Sequence, residues 1–242
     1  MKYFKHILIF LLLLGFGTKI QAQKTLPTFD GVVSEAEWIN AEKFKINYEI
    51  DPGNNEPSTH ETEVFITYSK TDLYVGFIAY ADMKNLRSSI RNRDEGYQDD
   101  NVMIGIDTYG DGRYMISLGS NPEGNQLDLK FSSSGDTDPS YNINFESKAS
   151  KHKNSYHVEL KIPFAVLQFN KADEMKWNVL LYRSTYTDAS RSQNINFPID
   201  LNNPCLPCQT KSNITLKNIE SKNRVSLLPY VFGGLSGAQE KE

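Results

Sequence analysis

Three short segments of alternating apolar and polar residues lie between Asp99 and Phe131, separated by the turns Gly110–Gly112 and Asn121–Gly124. Alternation with a period of two, bounded by Gly, Pro and Asn, is typical of strands that bury one face. The sequence therefore predicts an antiparallel meander of three strands. Its apolar positions are Val102, Ile104, Ile106, Tyr114, Ile116, Leu118, Leu127, Leu129 and Phe131.

The same alternation predicts further strands on both sides of the meander. Leu73–Ala81 is apolar at both parities, so we expect it to pair with Glu63–Tyr68 and to lie centrally in its sheet. From Tyr182 to Asn223 the sequence predicts mostly loops, and alternation resumes only within 225–232. The other predicted strands are Phe44–Ile50, Asn142–Ser147, Tyr156–Ile162 and Trp177–Tyr182.

Helical structure is predicted only in short pieces. Ser34 and Glu37 have the spacing of a capping box, and Pro163 suits the first position of a short helix. The polar segment Asp82–Arg91 is also compatible with a short helix. Trp38, at the end of the capped turn, is expected in the core rather than as a sugar-stacking platform. Because Phe and Tyr greatly outnumber Trp and no long helical stripe occurs, we expect an all-β chain.

The first residues have the pattern of a secretory signal peptide. Lys2 and Lys5 precede an apolar run of about ten residues, too short to span a bilayer, and Ala22 stands before a plausible cleavage point. We expect residues 1–22 to be removed, 23–223 to form one domain, and 224–242 to form a tail. The chain is accordingly expected to be exported, to the periplasm or the outer membrane.

The charge of the mature chain limits its partners. Removal of the predicted signal peptide takes away three lysines and changes the formal net charge from −4 to −7. Nucleic acid is therefore not expected as a partner, because its phosphates require a basic face. We expect the chain to be a monomer.

Both cysteines, Cys205 and Cys208, lie in one Pro-rich and Asn-rich loop. In an oxidising compartment a local disulfide is the expected state. A redox-active pair normally opens a helix, which Pro207 opposes, and a zinc site needs more ligands than this stretch gathers. Free thiols, redox chemistry and metal binding remain the alternatives.

The polar stretch that begins at Asp82 continues to Asp100, and a loop near its end carries four carboxylates. Oxygen ligands on a flexible loop suit calcium, although their spacing does not match an EF-hand. The alternative is a solvated acidic loop balanced by nearby arginines, which charge runs usually are. We expect no cofactor, with calcium as the one candidate. The four carboxylates are Asp94, Glu95, Asp99 and Asp100.

Six motifs in order, from about Phe29 to Arg183, resemble the carbohydrate-binding module family 9-like domain. The resemblance implies an antiparallel β-sandwich with one or two short helical turns. It is similar to the version at the N-terminus of long exported bacterial proteins with a C-terminal outer-membrane β-barrel, and Arg224–Val231 resembles the entry to that barrel. The motifs are Phe29-Asp30-Gly31, Glu35-x-Glu37-Trp38-x-x-Ala41, Leu73-Tyr74-Val75-Gly76, Asp99-Asp100-x-Val102-x-Ile104-x-Ile106-Asp107, Asn121-Pro122-x-Gly124-x-x-x-Asp128 and Glu159-x-x-Ile162-Pro163-Phe164.

The resemblance also implies a sugar site. In the sugar-binding members a Trp stacks on the sugar and a Glu accepts hydroxyl hydrogen bonds, and the matching positions here are Tyr97 and Met103. Tyr can stack, whereas Met is only a weak acceptor. Turn formation and local pairing with Asp111 are the structural alternatives for several candidates. The candidate sugar-binding residues are Tyr97, Asp99, Asp100, Arg113, Asn125, Gln126 and Asp128.

Three functions compete at this point. The first is a non-catalytic domain that binds an oligo- or polysaccharide and serves its breakdown or uptake. The second is a glycoside hydrolase, which would require two carboxylates, such as Asp99 or Asp100 with Asp128. The third is a periplasmic structural domain beside an outer-membrane barrel. We expect binding rather than catalysis.

Overall fold

A computed structural model describes residues 25–186, 190–220 and 233 of the chain. Two antiparallel sheets face each other across one core, as the sequence predicts for an all-β sandwich. The predicted signal peptide and nearly all of the predicted tail lie outside the described residues. In the described part, no helix has the length and apolar character needed to cross a membrane.

The described strands number fourteen, β1 to β14. The shorter sheet has the order β1-β4-β5-β11-β10, and the longer one β3-β2-β13-β12-β6-β7-β8-β9, with β14 pairing to β12. Their bounds are β1 Glu42–Lys45, β2 Tyr48–Asp51, β3 Glu56–Pro57, β4 Thr62–Tyr68, β5 Asp72–Tyr80, β6 Asn101–Asp107, β7 Tyr114–Ser120, β8 Gln126–Ser132, β9 Thr137–Asp138, β10 Glu146–Lys151, β11 Ser155–Pro163, β12 Glu174–Tyr186, β13 Arg191–Ile195 and β14 Asn213–Lys217.

The predicted meander is confirmed as β6, β7 and β8, which pair antiparallel in sequence order. The predicted hairpin is confirmed as β4 and β5, and β5 lies in the centre of its sheet between β4 and β11. Val102, Ile104 and Ile106 of β6 are buried in the core between the sheets. The alternate residues Met103 and Gly105 therefore face the outer side of the longer sheet.

The predicted single strand Phe44–Ile50 is wrong, because the chain changes sheets within it. β1 pairs with β4 in the shorter sheet, whereas β2 pairs with β13 in the longer one. At the crossing, the Ile46 amide donates to Thr62 O at 3.1 Å and the Asn47 amide donates to Ile195 O at 3.1 Å. Side-chain alternation continues across the switch, so the sequence pattern alone does not show it.

The predicted helix over Asp82–Arg91 is also wrong, since the structure has turns and irregular backbone there. Within this segment the Asn85 amide donates to Asp82 O at 3.0 Å, as in a turn, and other backbone groups bond to distant parts of the chain. The Asn121 side chain donates to Ser89 O at 2.9 Å, and the Arg91 amide donates to Asn125 Oδ1 at 3.0 Å.

The predicted strand Asn142–Ser147 is shifted along the chain. Ile143 and Phe145 are buried, but the strand itself is Glu146–Lys151.

The N-terminal segment covers the outer face of the shorter sheet. The amides of Asp30 and Gly31 donate to Glu159 Oε2 on β11 at 2.8 and 2.7 Å. Trp38 is 1% exposed and packs with Val33, Phe65 and Ile78, which confirms its predicted place in the core. A short 3-10 helix, Phe164–Val166, follows Pro163 as predicted.

Candidate functional site

A groove of about 320 Å³ lies on the outer face of the longer sheet. Its floor is formed where β6, β12 and β7 run side by side, and β13 and β8 contribute its flanks. Gly105 lies in the floor, where a Cβ atom would approach Met115 Sδ to 2.6 Å. A side chain at this position would therefore displace Met115 and fill part of the groove.

Tyr97 lines this groove and is held at two points. Its hydroxyl donates to Asp128 O at 2.8 Å, and its own carbonyl accepts from the Tyr186 hydroxyl at 2.8 Å. Burial, helped by the nearby carboxylates of Asp94 and Asp128, raises the pKa of the Tyr97 hydroxyl. The phenol therefore stays neutral, and its ring has a fixed position in the groove wall.

Met103 also lines the groove, on β6. Its neighbour across the strand pair is Tyr182 on β12. The Tyr182 hydroxyl accepts from Ser184 Oγ at 3.1 Å and from Arg191 Nη2 at 3.3 Å. When the side-chain amide of Gln193 is oriented with its oxygen toward these two side chains, that oxygen accepts from Tyr182 Oη at 2.7 Å and from Arg191 Nε at 2.9 Å. These four side chains form a polar cluster at one end of the groove.

Asn101 is a buried polar residue of the groove. It is 2% exposed, and its Nδ2 donates to Asp99 O at 2.9 Å. Its Oδ1 is buried and has no hydrogen-bond partner among the described residues. Burying an acceptor without a donor costs free energy. Asn101 Oδ1 can therefore gain free energy by accepting a hydrogen bond from a ligand.

Asp128, on β8, is fully buried and lies outside the groove lining. Arg93 Nε donates to its Oδ1 at 2.9 Å and Arg93 Nη2 donates to its Oδ2 at 2.7 Å, a two-point pairing. The Ile143 amide also donates to Oδ2. Arg93 is therefore committed to this carboxylate, and Asp128 joins the loop before β6 to the loop after β9.

Asp99 and Asp100 are buried at the start of β6 and accept bonds from the protein itself. Asp99 Oδ2 accepts from the Ser89 amide and from Asn121 Nδ2, both at 3.1 Å. Asp100 Oδ1 accepts from the Tyr186 amide at 2.7 Å. Burial raises the pKa of the Asp100 carboxyl to about 6, although that bond and the Arg183 charge act in the opposite direction.

This raised pKa predicts that Asp100 makes stability fall as the pH rises from about 4 to about 7. Between these values the native state holds a proton on Asp100 that the unfolded state has released, so the native state loses its advantage as pH passes 6. About two pKa units correspond to about 2 to 3 kcal/mol. Denaturant unfolding of the protein and of Asp100→Asn at pH 4 and pH 7 measures this. The variant's stability relative to the parent is expected to increase by that amount at pH 7, and an unchanged difference would contradict the prediction.

The remaining three candidates also lie away from the groove lining. The Asn125 side chain bonds to both backbone groups of Arg91, and Gln126 accepts from Arg93 Nη1 at 3.1 Å and donates to Phe145 O. The Arg113 side chain is 81% exposed and pairs with Asp111 at 3.4 Å. Of the seven candidates, Tyr97 alone lines the groove. The assignment of the other six to sugar contacts stays a prediction.

The four carboxylates of the acidic segment do not converge. Asp94 accepts from the Asp128 amide at 2.9 Å, and Glu95 accepts from the Asn92 side chain at 3.2 Å. Within 25–186 and 190–220, no three His, Cys, Asp or Glu side chains are grouped so that they could hold a metal ion. The calcium hypothesis thus has no preformed ligand cluster in this part of the chain.

Cys205 and Cys208 form a disulfide in the loop before β14. This loop packs on the turn between β6 and β7: a Cβ atom on Gly112, which has a φ of +69°, would lie 3.2 Å from Cys208 Cα. The same loop brings Leu206 to the groove. The disulfide loop therefore contributes to the wall of the groove.

Sequence reasoning missed the polar groove residues Asn101, Arg191 and Gln193. The latter two lie on β13, Arg-Ser-Gln-Asn-Ile, which the sequence placed in a loop. Both faces of β13 carry polar side chains, because one face lines the groove and Asn194 is buried on the other. Alternation could not show this strand. The only signal for Asn101 was its place two residues before Met103.

The family model described as carbohydrate family 9 binding domain-like matches residues 29–202. Two similar solved structures are family 9 carbohydrate-binding modules from Caldicellulosiruptor kristjanssonii, one in complex with cellotriose (TM-score 0.53, 16% identity) and one with glucose (0.51, 17%). Each comparison covers 84% of this chain and 94% of the other.

A third similar structure, from Bacteroides uniformis, is provisionally described as a carbohydrate-binding protein (TM-score 0.59, 13% identity, 80% of this chain and 96% of the other). No curated protein matches the chain. The solved structures share its fold, and the family model spans well over half of its length. The chain therefore belongs to the carbohydrate family 9 binding domain-like family.

Proposed function

We propose that this chain is a non-catalytic carbohydrate-binding domain of an exported protein, and that it holds an oligo- or polysaccharide during breakdown or uptake. The observation that carries the proposal is the groove on the longer sheet, which combines the fixed Tyr97 ring with a cluster of polar side chains that includes one cation, Arg191. Aromatic rings stack on the C–H faces of sugars, and neutral polar groups pair with their hydroxyls.

The chemistry of the groove supports binding rather than hydrolysis. A glycoside hydrolase requires two carboxyl groups beside the bond that it cleaves. None of the described residues that line the groove carries a carboxylate. The candidates for catalysis are Asp99, Asp100 and Asp128. All three carboxylates are buried and accept hydrogen bonds from the protein itself.

Asn101 and the polar cluster around Tyr182 are the groups that can make hydrogen bonds to a sugar in the groove. Met103 takes the position at which the resemblance implies a Glu, and a thioether accepts hydrogen bonds only weakly. Asn101 lies two residues away on the same face of β6 and has a buried acceptor without a donor. We therefore assign hydroxyl recognition to Asn101, Ser184 and Gln193, with Tyr97 as the stacking platform.

Tyr97→Ala is expected to weaken binding about 10-fold or more, because it removes the stacking ring. Calorimetric titration against a broad glycan panel, with and without calcium, measures this. Tyr97→Phe is the matched control: it keeps the ring, loses only the bond to Asp128 O, and is expected to bind nearly as the parent does. Equal losses in both variants would contradict the stacking role.

If the parent protein binds no glycan of the panel, the proposed function is overturned. A structural role beside an outer-membrane barrel would then be the better explanation. Binding that requires calcium would instead point to ligands brought together only in the complex.

A further inference from the structure

The lining of the groove changes from polar to apolar along the strand direction. Asn101 of β6 lies opposite Ser184 of β12, which lies opposite Gln193 of β13, so these three form one polar row. Four residues further along β6, Gly105 lies between Leu180 of β12 and Ser117 of β7, and Leu129 of β8 follows, so Ser117 is the polar exception in an otherwise apolar row. At about 3.3 Å per residue, the two rows are about 13 Å apart.

The apolar end is walled by side chains that are only partly buried. Phe131 and Leu206 pack against a buried cluster that includes Leu180 and Ile195, and all four line the groove. A sugar hydroxyl placed here would lose its water without gaining a partner from these side chains, which costs free energy. A methyl group placed here would gain free energy by burial.

The polar end requires a donor. Asn101 Nδ2 is fixed on Asp99 O, so the amide cannot turn without losing that bond, and Oδ1 stays an acceptor without a protein donor. Hydroxyl and amide N–H groups of a sugar both satisfy it. A ligand that complements the groove therefore has a hydrogen-bond donor at one end and an apolar substituent at the other.

We infer that the groove takes an N-acetylated oligosaccharide, with a hydroxyl or amide donor on Asn101 and an acetyl methyl group against Phe131 and Leu206. This inference rests on the proposed function and names the class of sugar that its site selects. An acetyl group supplies the methyl group without adding charge, and because the two rows are about 13 Å apart, the donor on Asn101 belongs to a different sugar unit of the oligosaccharide.

A matched pair of disaccharides tests it. N,N′-diacetylchitobiose and cellobiose share the same β-1,4-linked backbone and differ only in the acetamido groups. In calorimetric titration of the protein, the acetylated sugar is expected to bind about 4-fold tighter or more, the value for one buried methyl group. Equal binding, or tighter binding of cellobiose, overturns the inference and leaves the proposed function standing.

The apolar end is tested by Leu206→Ser, in the disulfide loop, where a polar replacement disturbs no strand. The ratio of the two affinities is the readout: the preference for the acetylated sugar is expected to fall toward 1-fold, whatever the substitution does to the affinity for cellobiose. Phe131→Ser tests the same wall if the first variant does not fold. A preference that survives both changes overturns the inference. Binding of neither disaccharide, when another glycan of the panel binds, also overturns it, whereas silence of the entire panel overturns the proposed function itself.

Discussion

Replacing Asp128 with alanine is expected to lower the free energy of unfolding by about 3 to 5 kcal/mol. The carboxylate is fully buried and accepts a two-point pairing from Arg93 and a bond from the Ile143 amide. Removing it leaves the Arg93 guanidinium, which is about 29% exposed, without its main partner. Removing one member of such a pair costs more than the pair contributes, because the remaining charge stays desolvated.

Chemical denaturation at pH 7 measures this loss, with Asp128→Asn as the matched control. Asparagine fills the same space and keeps one oxygen acceptor, but it removes the charge and turns the other oxygen into an NH2 donor, so it is expected to lose less than the alanine variant. A loss below about 1 kcal/mol in Asp128→Ala would show that Arg93 finds water or another partner at no cost.

The strands that the sequence predicts well are those that carry an apolar face into the core. β6, β7 and β8 alternate because Val102, Ile116 and their neighbours enter the core while the other parity faces outward. β10, Glu-Ser-Lys-Ala-Ser-Lys, is an edge strand with a polar composition, so no apolar pattern marks it. The two buried apolar residues just before it, Ile143 and Phe145, drew the prediction to the wrong place.

The site was less predictable than the fold for a related reason. Acidic and amide residues at strand ends suggest ligand contacts, but in this chain they hold loops together: Asp128 binds Arg93 and Asn125 binds the backbone of Arg91. Their partners come from segments more than 30 residues away, and such pairings have no local signature. The groove depends in addition on β13, whose polar faces show no alternation. Tyr97 and Met103, the two positions that the resemblance singled out, both line the groove.

Trp38→Ala is expected to lower the free energy of unfolding by about 3 to 5 kcal/mol, the usual cost of removing a buried Trp side chain. The indole is 1% exposed and lies against Phe65, with ring centroids 6.2 Å apart. It fills the space above Gly76 on the central strand β5, where a Cβ atom would approach the indole ring to 2.9 Å. The cavity left by alanine is therefore directly above a residue that has no side chain to fill it.

A double-mutant cycle with Gly76→Ala makes this prediction specific. In the parent protein the added methyl group meets the Trp38 ring and is expected to destabilise by about 1 to 3 kcal/mol, the usual cost of overpacking. In the Trp38→Ala background the same methyl group enters the cavity, and its cost is expected to vanish or reverse. Denaturant unfolding of the four proteins measures the coupling. An equal cost of Gly76→Ala in both backgrounds would mean that the indole does not press on the central strand, and that the N-terminal segment is only loosely attached to the shorter sheet.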